Sequence, residues 1–207
     1  MNKESVKGII SAISAEIAQN RDYLVELDQV NGDGDLGISM DDGYKAVVEY
    51  LKTAEESDLG KLIMACGKVF NAAAPSSLGT ITAFGFMGIA KALKGKEEAT
   101  FEEAAAAVKA GVDNIMVKAG SEVGQKTIVD AIYPGAEALV ANAQDPAAAV
   151  EAAAKAAADG SEATKQMKAV HGRAAYSAER SIGILDGGSV VGKLIFKGIK
   201  EYYTANH

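Results

Sequence analysis

Apolar residues recur every three to four positions along most of the chain. Met40, Tyr44, Val47 and Leu51 share this spacing, and residues 190–199 repeat it. This is the period of a helix with one apolar face, and no segment shows the strict alternation typical of strands. Alanine, which loses no side-chain entropy in a helix, is abundant. The pattern predicts an all-α protein.

Glycine, proline and polar residues interrupt this pattern and divide it into eight helices. We place them at 4–27, 38–55, 58–73, 78–94, 100–119, 126–143, 146–169 and 187–204, with a shorter turn or helix near 174–184. Capping signals mark three starts: Asp58, the pair Thr100 and Glu103, and Asp145 before Pro146. Because the connections are short, neighbours should be antiparallel. We expect an eight-helix antiparallel up-and-down bundle or barrel.

Composition narrows the classes of function. With 207 residues and 48% hydrophobic residues, the sequence is expected to form a single globular domain over 1–207. The net charge is −7 and the basic residues are scattered, which argues against nucleic acid as a partner. The single cysteine, Cys66, favours a cytoplasmic location. We see no secretory signal and no apolar run near the ~18 residues that a membrane span needs.

Four glycine-rich loops carry most of the candidate chemistry. They lie at 32–37, 75–79, 120–124 and 186–188. If adjacent helices alternate in direction, the loops after the first, third and fifth helices lie at one end, and the loop before the last helix joins them. That end of the bundle is the predicted binding site.

Three aspartates lie in and just before the first of these loops. Asp28, Asp33 and Asp35 lie within eight residues, separated by glycines that allow tight turns. Three carboxylates repel one another unless a cation binds, and oxygen ligands suit magnesium or calcium better than zinc. The pattern favours a magnesium site that leaves positions open for phosphate oxygens.

Two alternatives stay open for this loop. One is a solvated acidic turn that caps a helix. The other is an EF-hand beginning at Asn31, although Leu36 then stands where glycine is needed and Asp42 where a bidentate glutamate is needed.

Two further segments are near matches to a P-loop. Residues 187–193 have its spacing, but Leu194 replaces the required serine or threonine, and residues 120–127 are one position out of register. Neither follows a strand, so neither is interpreted as a P-loop. Both can still offer free backbone amides to phosphate.

Ser76, Ser77 and Arg173 each have a structural and a functional interpretation. Ser76 or Ser77 would cap the fourth helix or contact phosphate. Arg173 follows a glycine between helical segments, where it would form a surface salt bridge or a bidentate phosphate clamp. The residues alone do not decide between these roles.

Five motifs in order resemble the dihydroxyacetone kinase L subunit family, also called Dak2. They are Asn-Gly-Asp-Gly-Asp-Leu-Gly-Ile-Ser-Met at 31–40, Ala-Pro-Ser-Ser-Leu-Gly-Thr at 74–80, Gly-Gln-Lys-Thr-Ile-Val-Asp at 124–130, Gly-Arg-Ala-Ala-Tyr-Ser-Ala-Glu-Arg-Ser-Ile-Gly at 172–183 and Asp-Gly-Gly-Ser at 186–189. The resemblance implies an eight-helix antiparallel barrel that binds ADP or ATP at one end.

The resemblance also implies a set of site residues. Two magnesium ions would be held by Asp28, Asp33 and Asp35. The remaining residues would contact or enclose the nucleotide, with Arg173 also acting in catalysis: Leu36, Gly37, Ile38, Ser39, Ser76, Ser77, Gly120, Ile128, Arg173, Asp186, Gly187 and Gly188. Leu36 departs from the family, because many members have histidine there, and this departure leaves the phosphoryl donor and the sugar open.

Members of this family work with a separate K subunit that carries the ketose, often covalently on a histidine. Some keep ADP bound and are rephosphorylated by a phosphohistidine protein of the phosphotransferase system, and others exchange ATP. We expect this chain to be inactive without such a partner, and a homodimer stays open. The alternatives are a regulator that binds nucleotide or metal and contacts a transcription factor, and a kinase domain for another ketose phosphate or an acyl substrate.

Overall fold

The computed structural model describes residues 1–30 and 32–207, and for Arg173 and Ser177 it describes the backbone alone. Regular structure in this part of the chain is entirely helical, which confirms the all-α prediction. The α-helices are α1 (Lys3–Gln19), α2 (Arg21–Gln29), α3 (Leu36–Thr53), α4 (Leu59–Ala73), α5 (Ser77–Ala92), α6 (Phe101–Ala119), α7 (Val129–Ala141), α8 (Pro146–Ala163) and α9 (Gly187–Asn206), with 3₁₀ segments at Thr164–Gln166 and Arg173–Ser181.

Eight of these helices form a closed ring. From α3 to α9, each helix packs against the next along the chain, and α1 packs against both α9 and α3. The additional helix, α2, lies mainly against α3. The predicted eight-helix barrel is therefore confirmed, with α2 as an extension that the sequence pattern did not show.

The predicted first helix, 4–27, is divided into α1 and α2 at Asn20. The backbone of Asn20 leaves the helical region, at φ −106° and ψ 9°. Its side-chain amide donates a hydrogen bond to the Glu16 carbonyl at 2.8 Å, which satisfies one of the last carbonyls of α1. This break lets α2 turn onto α3 and bring Asp28 to the start of that helix.

The predicted capping signals are confirmed. Asp58, Thr100 and Asp145 each accept a hydrogen bond from the backbone N–H three residues further on, at the start of α4, α6 and α8. Such caps satisfy amides that have no partner within the helix. They place the ends of the ring helices, and hence the loops between them.

The interior of the ring is apolar. Phe70 and Phe196 are fully buried, and the edge of the Tyr44 ring meets Phe70 with 4.9 Å between the centroids. Apolar residues of the ring helices also line a pocket of about 400 Å³. No helix in the described ranges combines the length and the apolar character needed to cross a bilayer.

Candidate functional site

The carboxylates of Asp28, Asp33 and Asp35 come together at one end of the ring. One oxygen from each lies within 4.8 Å of the others, and we call these residues the carboxylate cluster. Asp28 is half-buried at the end of α2, whereas Asp33 and Asp35 are exposed in the loop that follows. Clustered carboxylate oxygens are the ligands that magnesium prefers, and a divalent cation offsets their repulsion. The residues present therefore fit a magnesium site.

The backbone of this loop holds the Asp28 side chain in place. The Gly34 N–H donates to the Asp28 carboxylate at 2.8 Å, and Gly34 has a φ of +76°, which glycine adopts without strain. Asp35 precedes α3 but does not make the capping hydrogen bond to that helix. The solvated turn and the magnesium site therefore both remain interpretations of this loop. Asn31, where the EF-hand alternative begins, lies outside the described residues.

The predicted phosphate-contacting residues 36–39 form the first turn of α3. The Ser39 hydroxyl lies 2.6 Å from the Ser76 hydroxyl, which joins this turn to the start of α5. Ser76 also caps α5 by accepting from the Gly79 N–H at 3.0 Å, and Ser77 is the exposed first residue of that helix. Two helix N-termini thus lie side by side, where their free N–H groups favour an anion.

The start of α9, formed by its N-cap Asp186 and by Gly187 and Gly188, closely approaches two other parts of the predicted site. A Cβ placed on Gly187 would lie 2.5 Å from Leu36 Cδ2, and one on Gly188 would lie 3.2 Å from the Ile128 backbone nitrogen. These approaches leave little room for a larger residue. The starts of α3, α7 and α9 are therefore brought together, as the alternation of helix direction predicted.

Gly120 and Ile128 mark the two ends of the α6–α7 loop (residues 120–128). Gly120 ends α6 with a φ of +61°, and Ile128 is buried just before α7. The hydroxyls of Ser121 and Thr127 lie 2.9 Å apart across the loop. Beside them is a cavity of about 80 Å³ that His171 also lines. This loop borders the same end of the ring as the predicted phosphate contacts.

The α6–α7 loop is stabilised by a buried carboxylate. Asp130, in the first turn of α7, accepts hydrogen bonds from the Gly124 N–H at 2.5 Å and from the Thr127 N–H at 2.7 Å. Because these contacts hold residues 124–127 in a loop, α7 begins at Val129 rather than at 126 as predicted.

Asp186 is a half-buried carboxyl of the site with a perturbed pKa. Burial raises its pKa to about 7, and the nearby carboxylates of Asp130 and Asp28 act in the same direction. The Ser189 N–H, which donates to it at 2.6 Å, and the Lys126 ammonium lower that pKa. A cation bound nearby would favour the ionised form of this group.

Arg173 lies in the α8–α9 connection (residues 164–186), where it begins the 3₁₀ segment Arg173–Ser181. Its side chain lies outside the described part of the structure, so its predicted contact with phosphate stays a prediction. The predicted helix 146–169 ends at Ala163, because a 3₁₀ turn at Thr164–Gln166 opens this connection.

Two residues at the site were missed from the sequence. Asp130 had a usable signal, because Thr127-Ile-Val-Asp130 has the spacing of a capping box, and half of that box forms. Lys126 had no such signal. In the sequence it belongs to a segment that resembles a P-loop out of register, and nothing in the pattern shows that its side chain is buried.

Comparison with known proteins agrees with this geometry. A family model described as the DAK2 domain matches residues 30–201. The chain is 31% identical over 171 residues to the PEP-dependent dihydroxyacetone kinase, ADP-binding subunit DhaL, of Escherichia coli (strain K12), covering 81% of each chain. It is also 31% identical over 198 residues to a D-erythrulose kinase of Mycolicibacterium smegmatis, covering 93% of this chain and 34% of that relative.

A solved structure shows the same fold. The dihydroxyacetone kinase from C. freundii, crystallised in complex with AMP-PNP and Mg2+, matches with a TM-score of 0.77 at 22% identity. The match covers 95% of this chain and 33% of the other, so the chain spans about one third of that larger kinase. Because the DAK2 model covers most of the sequence and the E. coli relative is matched over most of its length, this chain belongs to the Dak2 family.

Proposed function

We propose that this chain, as one domain over residues 1–207, is the nucleotide-binding subunit of a kinase for dihydroxyacetone or another short ketose. The observation that carries the proposal is the carboxylate cluster beside the N-termini of α3 and α5. Carboxylates would repel a nucleotide, whereas helix N-termini attract one, so the pair suits a phosphate that arrives with a metal ion. Membership of the Dak2 family supports the same assignment.

The site residues divide by the chemistry they offer. Asp28, Asp33 and Asp35 would hold magnesium, two ions in this proposal, and bound magnesium neutralises charge on phosphate oxygens. The amides of residues 36–39 would donate to phosphate, together with Ser76 and Ser77. The nucleotide would be lined and closed over by Gly120, Ile128, Arg173, Asp186, Gly187 and Gly188.

The ketose would bind to a partner. Phosphoryl transfer depends on positioning and charge stabilisation, which a donor site can supply without an acceptor site. We therefore place the ketose on a K-type subunit. The donor that renews the nucleotide would be ATP by exchange or a phosphohistidine protein of the phosphotransferase system.

The test is reconstitution. The purified chain is assayed alone and with a K-type subunit, with ATP or a phosphohistidine protein as donor and a panel that includes dihydroxyacetone and erythrulose. We expect nucleotide binding but negligible turnover alone, and turnover with the partner that Asp33→Asn reduces. Turnover by the chain alone, or no nucleotide binding at all, would overturn the proposal.

A further inference from the structure

The two ends of the α8–α9 connection are held by one side chain from another part of the molecule. The Lys126 ammonium donates to the carbonyl oxygen of Thr164 at 2.5 Å and to that of Ile184 at 2.6 Å. These carbonyls lie at the start and near the end of the connection that carries Arg173. Lys126 is only 5% exposed. A single buried ammonium group therefore holds together the two ends of the long α8–α9 connection.

The neighbouring residue adds two contacts of its own. The carbonyl of Gln125 accepts from the Val170 N–H at 3.4 Å, and its side-chain oxygen lies 2.6 Å from His171 Nε2. The α6–α7 loop thus contacts the connection at both ends and in between. The two segments that border the predicted nucleotide site are joined along their length.

The backbone at Lys126 is in an uncommon conformation for its residue type. Its φ is +61°, a left-handed value that glycine or asparagine adopts more readily. Burying an ammonium is also costly unless it is well paired. Lysine is therefore a poor choice for this turn on backbone grounds, and the contacts of its ammonium account for its presence.

We infer that Lys126 is a positioning residue for nucleotide binding, which couples the α6–α7 loop to the α8–α9 connection so that both close on the nucleotide together. The inference rests on the proposed function. Lys126 itself donates to protein carbonyls and acts through the segment that it holds. Without the Lys126 ammonium, the connection would open more often. Part of the free energy of nucleotide binding would then be needed to order the connection, and the affinity would fall.

The test removes the ammonium and keeps the length of the side chain. We expect Lys126→Met to weaken binding of Mg2+–ADP by at least about tenfold, within the range for hydrogen bonds to a charged group. In the wild type, Mg2+–ADP should slow hydrogen exchange of amides in 167–185, and in the variant this protection should be lost. Affinity for Mn2+ alone, a probe of the carboxylate cluster, should be unchanged, which a general loss of structure would not allow.

Two further variants separate the possible causes. Lys126→Gly relaxes the left-handed turn while removing the ammonium, so it should behave like Lys126→Met if the ammonium is what matters. Lys168→Met removes an exposed ion pair with Glu179 from the same connection and should change nucleotide affinity by less than about twofold.

Three results would overturn the inference. The first is full affinity and full exchange protection in Lys126→Met while the wild type binds. The second is loss of the helical circular dichroism signal in both Lys126 variants, which would make the residue a general requirement for folding. The third is a wild type that does not bind Mg2+–ADP, and that result alone would also overturn the proposed function.

Discussion

At two loops on the same end of the ring, aspartate lies in opposite environments. At the α6–α7 loop, the carboxylate of Asp130 in the first turn of α7 accepts two hydrogen bonds from amides of the loop, and Asp130 is 1% exposed. In the loop before α3, three carboxylates gather within 4.8 Å of one another, two of them exposed. One loop satisfies its charge inside the protein, whereas the other concentrates charge at the surface.

The difference separates a structural carboxylate from a binding site. Burying a carboxylate is costly unless it accepts hydrogen bonds from fixed donors. Because the donors to Asp130 are amides of the α6–α7 loop, these hydrogen bonds also fix the conformation of that loop. Clustered carboxylates repel one another, and a divalent cation offsets that repulsion, so a cluster of this kind favours cation binding. The same substitution, aspartate to asparagine, should therefore act mainly on folding at Asp130 and mainly on binding in the cluster.

The largest effect on folding is expected at Asp130. In Asp130→Asn, the side-chain NH2 would face one of the two backbone N–H donors, so one charge-assisted hydrogen bond is replaced by a repulsive contact. The free energy of unfolding should fall by roughly 2–3 kcal/mol, measured by denaturant titration. Asp159→Asn, which removes an exposed pair with Lys155, is the matched control and should cost less than about 0.5 kcal/mol. Equal effects of the two substitutions would contradict the claim that the buried Asp130 contacts stabilise the α6–α7 loop.

In the carboxylate cluster, the effect should appear in binding rather than in folding. Asp33→Asn or Asp35→Asn should each weaken binding of Mg2+–ADP by roughly 1–3 kcal/mol, because one ligand charge is lost while the shape is kept. Without metal or nucleotide, each variant should lose much less stability than Asp130→Asn, because Asp33 and Asp35 are exposed. Calorimetric titration measures the affinity, and melting curves measure the stability. A loss of stability like that of Asp130→Asn would contradict the comparison.

Asp186 is a third case, a half-buried carboxyl close enough to Asp28 and Asp130 for their charges to raise its pKa. Its folded-state pKa of about 7 lies above the value of an unfolded aspartate, so the folded state holds the proton more tightly. Its stabilising contribution is present at low pH and is lost as pH rises through about 7. Without metal, stability should fall by on the order of 2 kcal/mol more in the wild type than in Asp186→Asn between pH 5 and pH 7. Parallel pH profiles would show that this carboxyl is not perturbed.

The smallest effect distinguishes two adjacent serines. Ser76→Ala removes the cap of α5 and the contact with Ser39, and should lower the free energy of unfolding by about 1 kcal/mol. Ser77→Ala, at the exposed first position of the helix, should leave stability nearly unchanged. Thermal melts of the two variants test this difference. Equal destabilisation would mean that the capping assignment is wrong.

Helices and their starts could be predicted from the sequence because their causes are local. A helical period and caps such as Asp58 and Thr100 act within a few residues. The gathering of loops at one end followed from alternating helix directions alone. The break at Asn20 could not be predicted, because the apolar period runs through it and the turn depends on packing of α2 against α3. Lys126 could not be predicted either, since its acceptors lie far along the chain.

The most direct test of the account is titration of the purified chain with ADP, in magnesium and in excess chelator. Because the bare cluster carries three carboxylates and the nucleotide is an anion, we predict tight binding with magnesium and little or none in chelator. The melting temperature should rise with ADP only when magnesium is present. Equal affinity in chelator would contradict the account, because the nucleotide would then bind without the cluster.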